Sequence, residues 1–440
     1  MSDESAPKRW AIRSTRVCLP DRIQAATLVI EGQKITSVIV GEAPSDVPLT
    51  DVGDLVIAPG LIDAGVHINE PGQEDWEGFQ SATRAAAAGG VTTLIDMPLC
   101  SIPVTTTVEA LKAKKEAAKN QCLVDVEFFG GLIPGNADEV VGLIEHGVRG
   151  IKTYLCNSGL DEFPAVEKDE LRAIMPVLAT HRVPLLVHAE LTDDSPPTIQ
   201  NLRSYSEYAT SRPSSWEVRA IKRLIRLCRE YRTDIHIAPF SASQALPAIK
   251  AARKEGLPLT IATSPHYLYF AAEQIGSGQT HFKCAPPIRS EKNQRKLNEA
   301  LQRGHIDSVA SDHQSFPPEL RKMDTGDIVR ARGGIASLQL TLPIMSTLAN
   351  RNGWSLEQLT SWLSTTPAKR FGLDQNKGQL TEGKDADLCV WDPTAKWTVR
   401  AEELLHRHKV TPYAGEQLTG QVHQTYSRGK LVFDSQSPST

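Results

Sequence analysis

The chain has 440 residues, of which 40% are hydrophobic and 23% charged, with a formal net charge of -4. That length exceeds one small domain and allows a large α/β core with an appended module. The small net charge and the lack of a basic stripe argue against nucleic-acid or anionic-membrane partners, and no apolar run approaches the roughly 18 residues of a membrane span.

Residues 1–10 are polar, with no apolar core behind their charges, so no secretory signal is read there. The seven cysteines are odd in number and widely spaced, with no CxxC pair. They predict free or buried thiols in a reducing cytoplasm. Residues 1–56 read as a small β-module. Its strands are Trp10-Ala11-Ile12, Thr27-Leu28-Val29-Ile30 and Lys34-Ile35-Thr36-Ser37-Val38-Ile39, and Glu31-Gly32-Gln33 makes a hairpin turn between the last two.

From 57 to 374 short apolar strands alternate with helical stretches. The predicted strands are 91–96, 123–128, 150–154, 184–188, 234–238, 259–262 and 308–312, and helices fall between them, as at 107–120 and 215–231. Seven or eight such units predict an α/β fold, a (β/α)8 TIM-type barrel. An open doubly wound sheet fits less well, because no glycine-rich phosphate loop follows an early strand. Lys152, His188 and Asp312 fall at predicted strand C-termini, the catalytic rim of such a barrel. From 375 to 440 the pattern returns to strands, in 384–392 and 429–433, which are expected to join the N-terminal strands in a small β-sandwich built from both termini. Residues 435–440 read as a frayed tail.

Several motifs carry a family resemblance. Pro59-Gly60-Leu61-Ile62-Asp63, His67-Ile68-Asn69-Glu70-Pro71-Gly72, Trp76-Glu77-Gly78-Phe79 and Asp96-Met97-Pro98-Leu99 resemble the first barrel units of the cyclic amidohydrolases. Gly150-Ile151-Lys152, Ser264-Pro265-His266-Tyr267-Leu268, Lys283-Cys284-Ala285-Pro286-Pro287-Ile288-Arg289, Ser311-Asp312-His313 and Gly333-Gly334-Ile335 are most similar to the allantoinase branch, with dihydroorotases and hydantoinases sharing much of the pattern. The resemblance implies two divalent metals around a bridging hydroxide, a carbamylated lysine between them, and an aspartate that carries the proton. By position, Lys152 matches the lysine, His188 a histidine ligand, Asp312 the aspartate, and His67 the second histidine of an opening His-x-His. Asn69, Cys100, Ser158, His266 and Gly334 match substrate-pocket positions.

Three positions depart from that pattern. Gly65 stands where the first histidine of the opening is expected, Pro239 where the last histidine is expected, and Cys100 where an asparagine is usual. His236 does not replace position 239, since residues three apart in a strand face opposite sides. One metal site keeps His67, Lys152 and Asp312, and the other keeps only Lys152 and His188. Three protein ligands suffice for a catalytic zinc and two do not. At most one divalent ion, zinc or similar, is therefore expected, or none. Without metal, Lys152 is expected to pair with Asp312 as a buried ion pair, and His313 either orients Asp312 or caps the strand end.

Three functions stay open: a diverged enzyme acting on a C–N bond of a small cyclic amide or ureide, a metal-free cyclase or isomerase using Asp312, His188 and Lys152 as acid–base groups, and a non-catalytic scaffold. The resemblance further implies a small-molecule substrate, a homo-oligomer and a cytoplasmic location.

Overall fold

The two ends of the chain meet in one sheet. The computed structural model describes residues 9–41, 45–193 and 197–437, so the polar leader at 1–8 and the tail at 438–440 lie outside the described residues. The first strands are β1 (Arg9–Cys18), β2 (Ile23–Glu31), β3 (Lys34–Ile39), β4 (Leu49–Asp51) and β5 (Val56–Pro59). β2 and β3 form the predicted hairpin with Glu31 opposite Lys34, and Gly32 takes φ 57° in its turn, a conformation open to glycine.

The barrel strands follow: β6 (Leu61–His67), β7 (Val91–Asp96), β8 (Asp125–Phe128), β9 (Gly130–Gly131), β10 (Ile151–Tyr154), β11 (Leu185–His188), β12 (Ile235–Ile237), β13 (Leu259–Thr263), β14 (Ser308–Val309) and β15 (His313–Gln314). They pair in two parallel arcs, β15-β6-β7-β8 and β9-β10-β11-β12-β13-β14. The arcs adjoin where β8 passes into β9 and where β14 passes into β15. Every residue of β6, β7, β10 and β11 is buried, as expected for parallel strands covered on both faces. Helix Val108–Ala118 starts where the Thr107 side chain accepts from the Ala110 N–H, a local N-cap. Helix Ser214–Tyr231 buries Trp216, Ile221, Leu224 and Cys228 along one stripe.

The predicted strand at 308–312 is a correction. It splits into β14 and β15, and between them Asp312 takes φ 51°. The sequence there, Ser308-Val309-Ala310-Ser311-Asp312-His313-Gln314, holds no glycine or proline to mark the break. The predicted strand at 384–392 likewise begins later, in β16 (Leu388–Thr398), which is followed by β17 (Gln417–Ser427) and β18 (Lys430–Asp434). β17 escapes sequence reading because Gly420 sits at one of its inward positions, between Leu418 and Val422. The terminal sheet runs β18-β17-β16-β5-β1-β2-β3, with β4 on β1. Trp10, Ile12, Leu28, Ile57, Leu388 and Val390 share its core.

One buried cation ties sheet to barrel. Lys377 Nζ lies 2.6 Å from Asp125 at the start of β8, 2.5 Å from Asp387 and 3.5 Å from Asp385, just ahead of β16. All seven cysteines are free thiols. Among the described residues no helix is long and apolar enough to cross a membrane.

Candidate active site

A cavity of about 550 Å³ opens over the C-terminal ends of the barrel strands, and His67, Cys100, Ser158, His188, Asp312 and Gly334 line it together. Two predicted pocket residues, Asn69 and His266, are not in its lining. Both are buried, and neither their amide atoms nor their ring nitrogens have a protein partner. Lys152 is also absent from the lining. It is the second residue of β10 rather than its end, and lies inside the barrel at 1% exposure.

The expected ion pair between Lys152 and Asp312 is a second correction. The Lys152 ammonium donates to the Ala238 carbonyl at 2.7 Å, and its Nζ stands 5.3 Å from the Tyr154 ring centroid. The two charges still sense each other. Burial pushes Lys152 down to about 8 against the pull of Asp312. Burial also lifts Asp312 to about 6, with Lys152 opposing and Asp63 adding to the rise. Asp63 accepts from the N–H groups of Gly65 at 3.2 Å and Ser311 at 3.1 Å, so it pins the segment between β14 and β15 that carries Asp312.

His67 ends β6 with Nδ1 unpartnered. Burial, together with the charge of Lys152, holds it down to about 3, so it is neutral. His188 ends β11, stacks on Tyr154 with centroids 4.5 Å apart, and places Nε2 2.7 Å from Glu190 Oε2. Burial lowers its basicity while Glu190 raises it. Burial works against the charge of Glu190, yet Arg212 and His188 outweigh it and hold that carboxyl at about 2. His313 does not orient Asp312. Its Nδ1 accepts from the N–H groups of Ser337 and Leu338 at 3.1 and 3.2 Å, and its Nε2 faces Glu77 at 3.2 Å. That pattern fixes the Nε2–H tautomer.

At Gly65 the chain packs closely on its neighbours. A Cβ there would lie 3.1 Å from the Ala310 Cβ and 3.4 Å from the Asp312 nitrogen. Cys100 has φ 64°, a region unusual for non-glycine residues. Burial pushes its thiol up to about 11 despite the nearby Arg332, so it is not an activated nucleophile. Ser158 donates to the Phe163 carbonyl at 2.6 Å and shapes its loop. His236, as expected, faces away, with Nδ1 2.8 Å from Thr260 Oγ1 and its ring edge-on to Phe371.

Sequence reading missed Glu190, Arg212, Tyr154, Lys283 and Arg332. Glu190 was accessible, since it stands two residues beyond His188 and so on the same side of an extended chain. The others come together only through folding. Among the described residues, ligand-type atoms converge within 4.8 Å in two groups, Cys156–His188–Glu190 and Asp125–Asp385–Asp387. Each already faces a protein cation, Arg212 in the first and Lys377 in the second.

The profile of the amidohydrolase family matches residues 56–432. An allantoinase of Arabidopsis thaliana is 43% identical, over 96% of this chain and 87% of its own. An allantoinase of Streptomyces avermitilis is 42% identical, over 96% of this chain and 94% of its own. Among solved structures, the L-hydantoinase (dihydropyrimidinase) of Arthrobacter aurescens superposes with a TM-score of 0.92 at 28% identity, covering 98% of this chain and 97% of that one.

Proposed function

The chain belongs to the amidohydrolase family, and on that premise we propose that it acts on a C–N bond of a small cyclic amide or ureide, as a diverged relative of the allantoinases. The reaction opens the ring with water or closes it with loss of water, which is one step run in two directions. The observation that carries this reading is Asp312, the only carboxylate in the cavity lining among the described residues. Burial first, and then its neighbours, set it at about 6, where it can both take and return a proton near neutrality.

In the opening direction, water oxygen bonds to the amide carbon while the Asp312 carboxylate takes the water proton. The C–N bond then breaks, and Asp312 returns that proton to the leaving nitrogen. Lys152, below the cavity floor, favours the ionised form of Asp312 through its charge. His188, held by Glu190 and Tyr154, presents a fixed polar wall.

We read the donor set as unfit for the two-metal centre that the family resemblance implies. Gly65 and Pro239 bring no ligand atom. A histidine at position 65 would press on Ala310 and Asp312. His188 Nε2 is taken by Glu190, and His67 and Asp312 belong to neither converging group of ligand atoms. At most one ion is left to His67 and Asp312, which Lys152, an ammonium donating to the Ala238 carbonyl, could join only as its carbamate, and no step above is routed through it. A metal-free cyclase or isomerase is the second reading, favoured by Lys152 and Asp312 titrating on either side of neutrality. We also propose that it acts on a small molecule, as a homo-oligomer in the cytoplasm.

The test is turnover of matched pairs, each a cyclic ureide and its ring-opened acid, by the native protein. Interconversion of at least one pair is expected, with allantoin hydrolysis absent or very slow. Failure to convert any pair in either direction contradicts the proposal and favours a scaffold.

A further inference from the structure

The cavity carries positive charge that the proposed ring chemistry does not use. Arg212, Lys283, Lys322, Arg330 and Arg332 line it, against Asp312 alone. Three of these cations are engaged. Arg212 pairs with Glu190 and Arg330 with Asp327, while Lys283 donates to the carbonyls of Val329 and Ala331 at 3.0 and 2.6 Å. The ion pairs of the lining cations are those two, so among the described residues both Lys322 and Arg332 are left without a carboxylate, and both are only partly exposed. Of the two, only Arg332 presents a planar fork of donors.

What it does meet is aromatic. Its guanidinium carbon lies 4.7 Å from the Trp76 ring centroid and 5.4 Å from that of Phe316, and those two rings meet edge to face at 5.0 Å. Rings hold the guanidinium plane without neutralising its charge. The backbone is fixed as well, since the Arg332 N–H donates to the Leu320 carbonyl at 2.8 Å. The side chain reaches the Cys100 thiol, and its charge is felt at His67. A preorganised, unpaired fork of N–H donors therefore stands at the reacting end of the cavity.

We propose that Arg332 is the receptor for a carboxylate on the substrate, so that the cavity takes a carboxylate-bearing ureide in preference to a neutral ring. A planar guanidinium and a carboxylate share two parallel hydrogen bonds, which fix orientation as well as charge. Leaving the guanidinium unpaired in a partly dry cavity is unfavourable, and a carboxylate relieves it. The assignment rests on the proposed ring chemistry for the ureide portion of the ligand, and on the charge arrangement for the carboxylate. It also makes Arg332 a specificity residue, distinct from Asp312, which moves the proton.

Isothermal titration of the native chain with three probes tests this: N-carbamoylglycine, an open ureido acid; hydantoin, a neutral ring; and propionate, a carboxylate without a ureide. N-carbamoylglycine should bind at least ~10-fold more tightly than hydantoin. Its affinity should fall as salt rises, while that of hydantoin stays level. Arg332→Gln should weaken N-carbamoylglycine by ~10-fold or more and leave hydantoin unchanged, and Arg332→Lys should recover only part of the loss. Equal affinity for acid and ring, or no effect of Arg332→Gln, overturns the carboxylate receptor and leaves the ring chemistry standing. If propionate binds as tightly as N-carbamoylglycine, and does so through Arg332, the receptor stands and the ureide reading falls. If no probe binds, both fall. If either variant fails to fold, the salt dependence on the native chain decides.

Discussion

Gly65 and Asp312 pack backbone against backbone. A Cβ at Gly65 would stand 3.4 Å from the Asp312 nitrogen and 3.1 Å from the Ala310 Cβ. Gly65 thus brings no ligand atom and also packs closely on Ala310. A side chain restored at 65 asks Ala310 to give by a few tenths of an ångström, next to the segment that holds Asp312.

That contact predicts coupling between positions 65 and 310. Gly65→Ala should destabilise by about 1–3 kcal/mol, the usual cost of overpacking, and Ala310→Gly should relieve part of that cost in the double variant. Urea unfolding of the two single variants and the double reads the coupling. Strict additivity would mean that the two strands do not press on each other.

Asp312→Asn should leave the fold intact and lower any ring-opening or ring-closing turnover by about 100- to 10,000-fold, the range of a lost proton carrier. Circular dichroism checks the first claim and initial rates the second. Activity that survives the change would remove Asp312 from the reaction.

Buried histidines predict acid lability. His266 and His406 lie buried with no protein partner on either ring nitrogen. Burial holds both near 3. Their folded values lie below the unfolded value of about 6.5, so the unfolded chain takes up protons first as pH falls. Stability is fully present above about 6.5 and declines towards 3, by about 2 kcal/mol per histidine at pH 5. Urea midpoints at pH 7.5 and 5 measure the decline, which His266→Phe should reduce. An unchanged decline in that variant would mean that His266 is already protonated in the fold.

Much of the scaffold was legible. The strand at 91–96 was read to the residue, because a run of mostly β-branched residues, Val91-Thr92-Thr93-Leu94-Ile95, follows Gly89-Gly90. The site was legible where it follows strand ends, as with His67 and His188. Asp312 was also named from the sequence, but not the left-handed turn on which it sits, and Lys152 was named without its Ala238 partner, which depends on how β10 and β12 close the barrel. Arg332 was not singled out at all, since the rings of Trp76 and Phe316 that hold it come from distant segments.

Lys377 predicts a tie between the two parts of the fold. Lys377→Met would remove the one cation shared by Asp125, Asp385 and Asp387, leaving Arg428 on Asp125 and Lys34 on Asp385 and no cation on buried Asp387. A loss of about 3–5 kcal/mol is expected, as for other broken buried ion pairs, with partial recovery when Asp387→Asn is added. Thermal and chemical melts give the answer, and a neutral effect would show that water already screens the cluster.

The central claim is that Gly65 and Pro239 bring no ligand atoms for a two-metal centre. Its most direct test is metal content by elemental mass spectrometry, on native protein and again after incubation with excess zinc and bicarbonate followed by desalting. The account predicts at most one equivalent of divalent transition metal per chain in both samples. Two tightly held equivalents would contradict it.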